Sequence, residues 1–295
     1  MTTGASASFA DKNVAYSGAT VVNKTVTLLA SSLGLSGTKA GNYAIVGDLT
    51  ANAKITPKAV TVSGITANDK VYDATTSAIV NTGSAVFTGQ VVGDDLHVST
   101  TGVFAAKDAG LARTVNLTST YNGTDLANYT VTGQATTTAT ITPKALTVSG
   151  FVANNRVYDG GVTATVDATN VYLAGLISGD VLTATATGTF ADKNVGTAKT
   201  VTLTSSYGGA DRANYTITNQ ATSTANITPK ALTIGGITVS DKTYDNTTAA
   251  TVSVSAVTKT GLVSNDVVDV AATGVFSDEN AATGKTVTLL SLIHI

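Results

Sequence analysis

Apolar and polar residues alternate along this chain in runs of four to eight positions, and no run keeps a 3.6-residue period. In ALTVSGF, Leu146 and Val148 fall on one face, with Thr147 and Ser149 on the other. TATVDA, LTATATGTF, KTVTLTSS, NYTITN and TSTANIT follow in the same style. A period of two marks a strand with one buried face. The separators DGG, SGD, ADKNVG and GGAD carry the Gly, Asp and Asn that tight turns need. LAGLISGD (173–180) has room for one helical turn at most. The pattern predicts an all-β chain of small antiparallel domains, each with six or seven short strands. A sandwich-like arrangement is expected, with a β-grasp-like sheet as the alternative.

The strands recur with a fixed period. ITPKA begins at Ile55, Ile141 and Ile227, and Tyr72-Asp73, Tyr158-Asp159 and Tyr244-Asp245 are each 86 positions apart. Phe104, Phe190 and Phe276 follow a Gly-x pair, and Tyr129 and Tyr215 follow an Asn. This divides the chain into a partial repeat (1–56), two full repeats (57–142 and 143–228), and a further partial repeat (229–290). Phe9–Val14 matches Phe190–Val195, but Asn42 lies 33 positions after Phe9, against 24 for Asn214 after Phe190. The first copy therefore carries about nine extra residues in its hairpin region. Similarity stops after Leu290, so 291–295 read as a non-native tail, with an open sheet edge and disorder expected nearby. Pro57, Pro143 and Pro229 stand at the joints, fix φ and push the preceding Thr toward extended backbone. Stiff joints, and hence a monomeric rod, are expected.

Composition narrows the chemistry. Aromatics are 5% of residues and Trp is absent, so each core must use small aliphatic side chains. The net charge of −2 comes without a basic cluster, which gives no footprint for nucleic acid or an anionic membrane. The most apolar stretch, TVTLLASSLGL, is too short and broken to span a bilayer. With no Cys, one Glu (Glu279) and two His, the usual sets of acid, base and nucleophile cannot be assembled at repeated positions. His97 aligns with Thr183 and Asp269, so no enzyme is expected.

Other site chemistries are weaker than their structural alternatives. Asp69, Asp73, Asp94 and Asp95, or Asp180, Asp192 and Asn194, could offer oxygens to Ca²⁺, but they lack a D-x-D-x-D-G loop and only partly repeat. They read as turn caps, and no cofactor is expected. A self-formed amide between Lys58, Lys144 or Lys230 and Asn128 or Asn214 would need buried lysines, which joints seldom provide. The recurring tyrosines, including Tyr121 and Tyr207, read as core or interface members rather than sugar platforms. In NNRVYDGG, Tyr158 and Asp159 read as a corner: a packed Tyr with its hydroxyl bonded, then an Asp that caps the turn. Gly160 becomes Ala74 and Asn246 in the other copies, which argues against a glycine-only φ there.

The K/R-V-Y-D-G core (156–160), G-T-F-A-D-K-N-V-G (188–196), A-N-Y-T (213–216) and the I-T-P-K joint resemble the YDG-type repeats of bacterial surface proteins, especially filamentous-haemagglutinin-like adhesins. The resemblance implies extracellular display at the bacterial surface, with the export signal outside this segment. It also implies a stalk or adhesive role, with host-cell or matrix glycans or proteins as partners of the parent protein. The expected function is a spacer that projects an adhesive region; repeats that bind ligand weakly through avidity are the alternative.

Overall fold

The computed structural model describes residues 6–294, with side chains described through Leu290. It divides into two compact units, one of Met1–Lys144 with Ala213–Thr216, the other of Ala145–Arg212 with Ile217–Ile295. Among the described residues, the regular elements are strands and three-residue 3₁₀ turns.

In the first unit, repeat 57–142 builds two principal sheets. Strand Lys58–Ser63 alternates as the sequence requires, with Val60 and Val62 buried and Thr61 exposed. It pairs antiparallel with Val86–Thr88 and parallel with Tyr129–Thr132. The second sheet has five strands in the order Lys70–Val71, Thr136–Thr142, Gly110–Asn122, His97–Phe104, Ser77–Ala78. Its spine is the antiparallel ladder from His97↔Asn122 to Phe104↔Val115. Pairing is thus mainly antiparallel, but Thr136–Thr142 also runs parallel to Lys70–Val71. Alternation reveals which face is buried; it does not reveal which strand lies alongside.

The Gly-x-Phe motif has a steric cause. A Cβ on Gly102 would lie 2.4 Å from Val80 Cγ2 and 2.9 Å from Val115 Cγ1. At Gly188 and Gly274 the closest atoms would be 2.8 and 2.9 Å away, again valine methyls. The missing side chain lets two strand layers approach, and Phe104 and Phe190 then fill the buried space two residues on.

The second unit repeats the five-stranded order with Arg156–Val157, Thr222–Thr228, Gly196–Gly208, Thr183–Phe190 and Thr163–Ala164. Residues beyond 228 form a three-stranded sheet of Ala249–Ala250, Asp269–Phe276 and Val287–His294. Val287–His294 is an edge strand of that sheet, and its ladder runs to Asp269↔His294. Where disorder was expected, the backbone is a strand, because VTLLSLIH supplies β-formers in register with the partner. Ile295 lies outside the described residues.

Candidate functional site: the joint between consecutive repeats

The Tyr-Asp pair separates into two roles. Asp is the corner. Asp73 Oδ1 accepts the Thr75 N–H at 2.9 Å, Asp159 Oδ1 that of Gly161 at 2.8 Å, and Asp245 Oδ1 that of Thr247 at 3.0 Å. The basic residue three positions earlier pairs with each Asp: Lys70 at 2.7 Å, Arg156 at 2.9 Å and Lys242 at 2.8 Å. These cations also lie 5.5, 5.1 and 5.6 Å from the ring centroids of Phe104, Phe190 and Phe276. Lys242, with Thr247, draws the Asp245 carboxyl down to about 2. At Asp73 burial opposes the anion, but the Lys70 and Thr75 hydrogen bonds outweigh it and hold the carboxyl low.

The residue after the Asp corrects an expectation. Ala74, Gly160 and Asn246 all take left-handed backbone, with φ of 62°, 81° and 59°. The turn therefore imposes the conformation and the sequence tolerates it, even with an alanine Cβ. Ala74→Gly should stabilise repeat 57–142 by about 0.5–1 kcal/mol. It relieves about 1–2 kcal/mol of left-handed strain against glycine's larger unfolded-state entropy. Amide exchange across the strands of repeat 57–142 checks this; unchanged or lower protection counts against it.

Tyr belongs to the joint. Tyr72 is 1% exposed, and its ring meets the Tyr215 ring edge-on at 5.6 Å within the first unit. Tyr158, half-buried, bonds to the Asp266 carboxylate within the second, which together with burial raises the phenol's pKa. Tyr244 is 58% exposed, with its hydroxyl on Asn246.

Around these tyrosines one arrangement recurs: the hairpin of one repeat is held by carboxylates and an asparagine of the next. Lys12 Nζ lies 2.7 Å from Asp94 Oδ1 and 3.1 Å from Asp125 Oδ1. Val14 N–H donates to Asn128 Oδ1 at 2.8 Å, and Asn128 Nδ2 donates to Asn13 Oδ1 at 3.0 Å. Tyr129 donates its hydroxyl to Asp94 Oδ2 at 2.7 Å and accepts the Val91 N–H at 2.9 Å. Lys12 and the Tyr129 hydroxyl hold the Asp94 carboxyl low; the Asp95 N–H and Lys12 do the same for Asp125. The two carboxylates in turn raise the Lys12 pKa.

The aligned contacts reappear further along. Asn214, the one buried polar residue among those described, accepts the Ala109 N–H at 2.8 Å and donates to Asp108 Oδ1 at 3.2 Å. Lys193 lies 3.7 Å from Asp266, beside a cavity of about 860 Å³ lined by Tyr158, Pro229, Leu232, Val263 and Val268. In repeat 57–142 the aligned Val60 and Leu96 instead pack with Tyr129, Leu126, Val131 and Phe87. Most of the extra residues of the first copy form the small hairpin Tyr16–Ser17 and Thr20–Val21, and Tyr16 adds a hydroxyl bond to Ala127 O at 2.9 Å.

Of the other sequence candidates, the two asparagines take part in this arrangement, and the prolines and lysines of the joint sequence supply none of the hydrogen bonds or ion pairs described above. Pro57 is half-buried, while Pro143 and Pro229 are exposed. Lys58 and Lys230 are exposed, and Asn128 and Asn214 are engaged at joints. Asp69 Oδ1 accepts the Thr140 N–H, and His97 Nε2 lies 2.8 Å from Asp95. Among the described residues, no group of three or more His, Cys, Asp or Glu side chains is placed to hold a metal ion, and no helix is long and apolar enough to cross a membrane.

The fold and its joints define a class: a tandem array of all-β repeats, each reading the hairpin of the one before. The YDG domain matches three times, over residues 56–139, 142–224 and 228–295, and the chain belongs to that family. A search of curated proteins gave no match.

Proposed function

We propose that these repeats are the spacer segment of an exported bacterial surface protein, setting the distance at which an adhesive region is held. The observation that carries this reading is the recurring joint. An asparagine side chain, Asn128 or Asn214, closes two hydrogen bonds onto the preceding hairpin, at the same positions in successive copies. A flexible tether would have no use for repeated, directional bonds between neighbours, whereas a spacer of fixed reach needs them. The expected ligands of the parent are host-cell or matrix glycans or proteins, bound by a region other than these repeats.

Two measurements on the full chain test the reading. The chain has no Cys, so spin labels can be placed at the exposed Thr50 and Thr118, on either side of the first joint. A single narrow distance distribution is expected; a broad one would remove the mechanical basis. A glycan and matrix-protein screen, with and without Ca²⁺, is expected to show no retention. Binding that weakens as repeats lose loop-tip side chains would favour repeats that are themselves the adhesive sites.

A further inference from the structure

The first and last segments of a full repeat lie side by side and point the same way. In repeat 57–142, Lys58–Ser63 runs parallel to Tyr129–Thr132, from Lys58↔Tyr129 to Thr61↔Thr132. Further on, Lys70–Val71 runs parallel to Thr136–Thr142, with Lys70↔Ile141 and Val71↔Thr142. These pairs belong to two different sheets, so the two segments cross together from one sheet to the other. Side chains hold them over the crossing. Gln134 Oε1 accepts the N–H of buried Ile65 at 3.0 Å, and Gln134 Nε2 donates to Ile65 O at 2.8 Å, so one side-chain amide replaces a backbone rung. Asp69 Oδ1 accepts the Thr140 N–H at 2.6 Å. At the far end the Tyr72 N–H donates to Thr142 O at 2.8 Å, and the Thr142 hydroxyl donates to Lys70 O at 3.2 Å.

Repeat 143–228 rebuilds these rungs with partly different residues. Gln220 takes both backbone polar groups of Phe151, at 3.0 and 2.8 Å. Asn155 stands in for Asp69, and its Oδ1 accepts the Asn226 N–H at 2.7 Å. Only a side-chain oxygen is used there, so a carboxylate and an amide serve alike. Arg156↔Ile227 and Val157↔Thr228 pair in parallel. The Tyr158 N–H donates to Thr228 O at 2.9 Å, and the Thr228 hydroxyl donates to Arg156 O at 3.3 Å.

Tension along the backbone enters the first of these repeats at Lys58, just after Pro57, and leaves it at Thr142, just before Pro143. It draws 58–72 toward its N-terminal end and 129–142 toward its C-terminal end. Parallel neighbours pulled in those senses slide along one another, and their evenly spaced rungs stretch together rather than in turn. We propose that the paired segments are a mechanical clasp, by which each repeat carries tension along the chain without opening. Gln134 and Gln220 keep the row of rungs continuous where the sheets change. Forced opening follows the unfolding rate rather than the equilibrium stability, so a barrier of this kind serves even a repeat with a small core. The clasp deepens the spacer reading and rests on it, yet the two fail separately. A broad distance distribution across a joint removes the spacer, whereas pulling within one repeat tests the clasp alone.

The test is single-molecule pulling on the full chain through pairs of cysteine handles, the chain having no Cys of its own. Lys58→Cys with Pro143→Cys, both at exposed positions, loads the clasp in shear. His97→Cys with Asn122→Cys, also exposed, pulls at the open end of the antiparallel ladder of the same repeat, where rungs break one after another. At one pulling rate the 58–143 handles should need a force at least about twofold higher, because several rungs share the load. A length gain of about 30 nm marks the opening of this repeat. Gln134→Ala should speed opening at fixed force roughly 5- to 150-fold through the 58–143 handles, the range for buried backbone groups left unpaired. Through the 97–122 handles the change should stay under about twofold, since the clasp is still closed when that ladder parts. Circular dichroism confirms that the variant folds, and the comparison of the two handle pairs does not depend on it. Equal forces in the two geometries, or an equal effect of Gln134→Ala in both, would overturn the proposal.

Discussion

Phe104→Ala is expected to cost repeat 57–142 about 3–5 kcal/mol, the range for emptying a buried aromatic site. Phe104 is one of the largest fully buried side chains, and its strand partner Val115 is fully enclosed too. The Lys70 ammonium, 5.5 Å above the ring, would lose its π-face while still tied to Asp73, so the corner loosens with the core. Neighbouring Val103 is half exposed on the opposite face of the same strand, and Val103→Ala should stay within about 0.5 kcal/mol of the parent. Several repeats share one chain, so a single global transition is the wrong readout. Amide exchange across the His97–Phe104 and Gly110–Asn122 ladder reports this repeat alone. Equal protection in the two variants would show that the Phe ring does not anchor that sheet.

Much of this architecture could be read from the sequence because it is written several times. The 86-residue spacing of Tyr72, Tyr158 and Tyr244 exposes the repeat, and alternation in Lys58–Ser63 and Lys144–Ser149 gives their buried faces correctly. Asp73 and Asp159 were recognisable as turn caps because their partners, Thr75 and Gly161, are two residues away. The tyrosine beside them was harder. Tyr72 meets Tyr215, a residue of a later repeat, and no local pattern encodes a contact at such separation. Its placement among core or interface members was right but could not name the partner. The parallel pairing of Tyr129–Thr132 with Lys58–Ser63 was hidden for the same reason. The conformation at Ala74 was misread on another ground. Variation among Gly, Ala and Asn argued against a glycine-only φ, yet the capped turn holds the alanine in the left-handed region, at φ of 62°. Lys12, Asn13 and Asp94 looked like turn residues, and they are; their second role appears only once neighbouring repeats are docked against each other.

Asn214→Ala should show how much of a joint rests on one side chain. Asn214 is 2% exposed and supplies both a carbonyl to Ala109 N–H and an amide to Asp108. Removing it leaves a backbone donor without its acceptor in a partly buried setting. The expected cost is about 1–3 kcal/mol, well above the net worth of an exposed hydrogen bond. Because the bond crosses from one repeat to the next, the loss should be local. The Ala109 amide should exchange roughly 5- to 150-fold faster, the same free energy expressed as an opening equilibrium. The ladder from Thr183↔Gly208 to Phe190↔Val201 should keep its protection. Asn214→Asp adds a discriminating case. It keeps the acceptor for Ala109 but sets a carboxylate against Asp108, so at neutral pH it should be at least as damaging as alanine. Its deficit should shrink as pH falls through the carboxylate range and one of the two acids takes up a proton. Asn128→Asp faces the neutral Asn13 instead, and should lack that particular repulsion. If Asn214→Ala leaves Ala109 exchange unchanged, or destabilises both repeats equally, the asparagine is a core residue rather than the clasp of a joint.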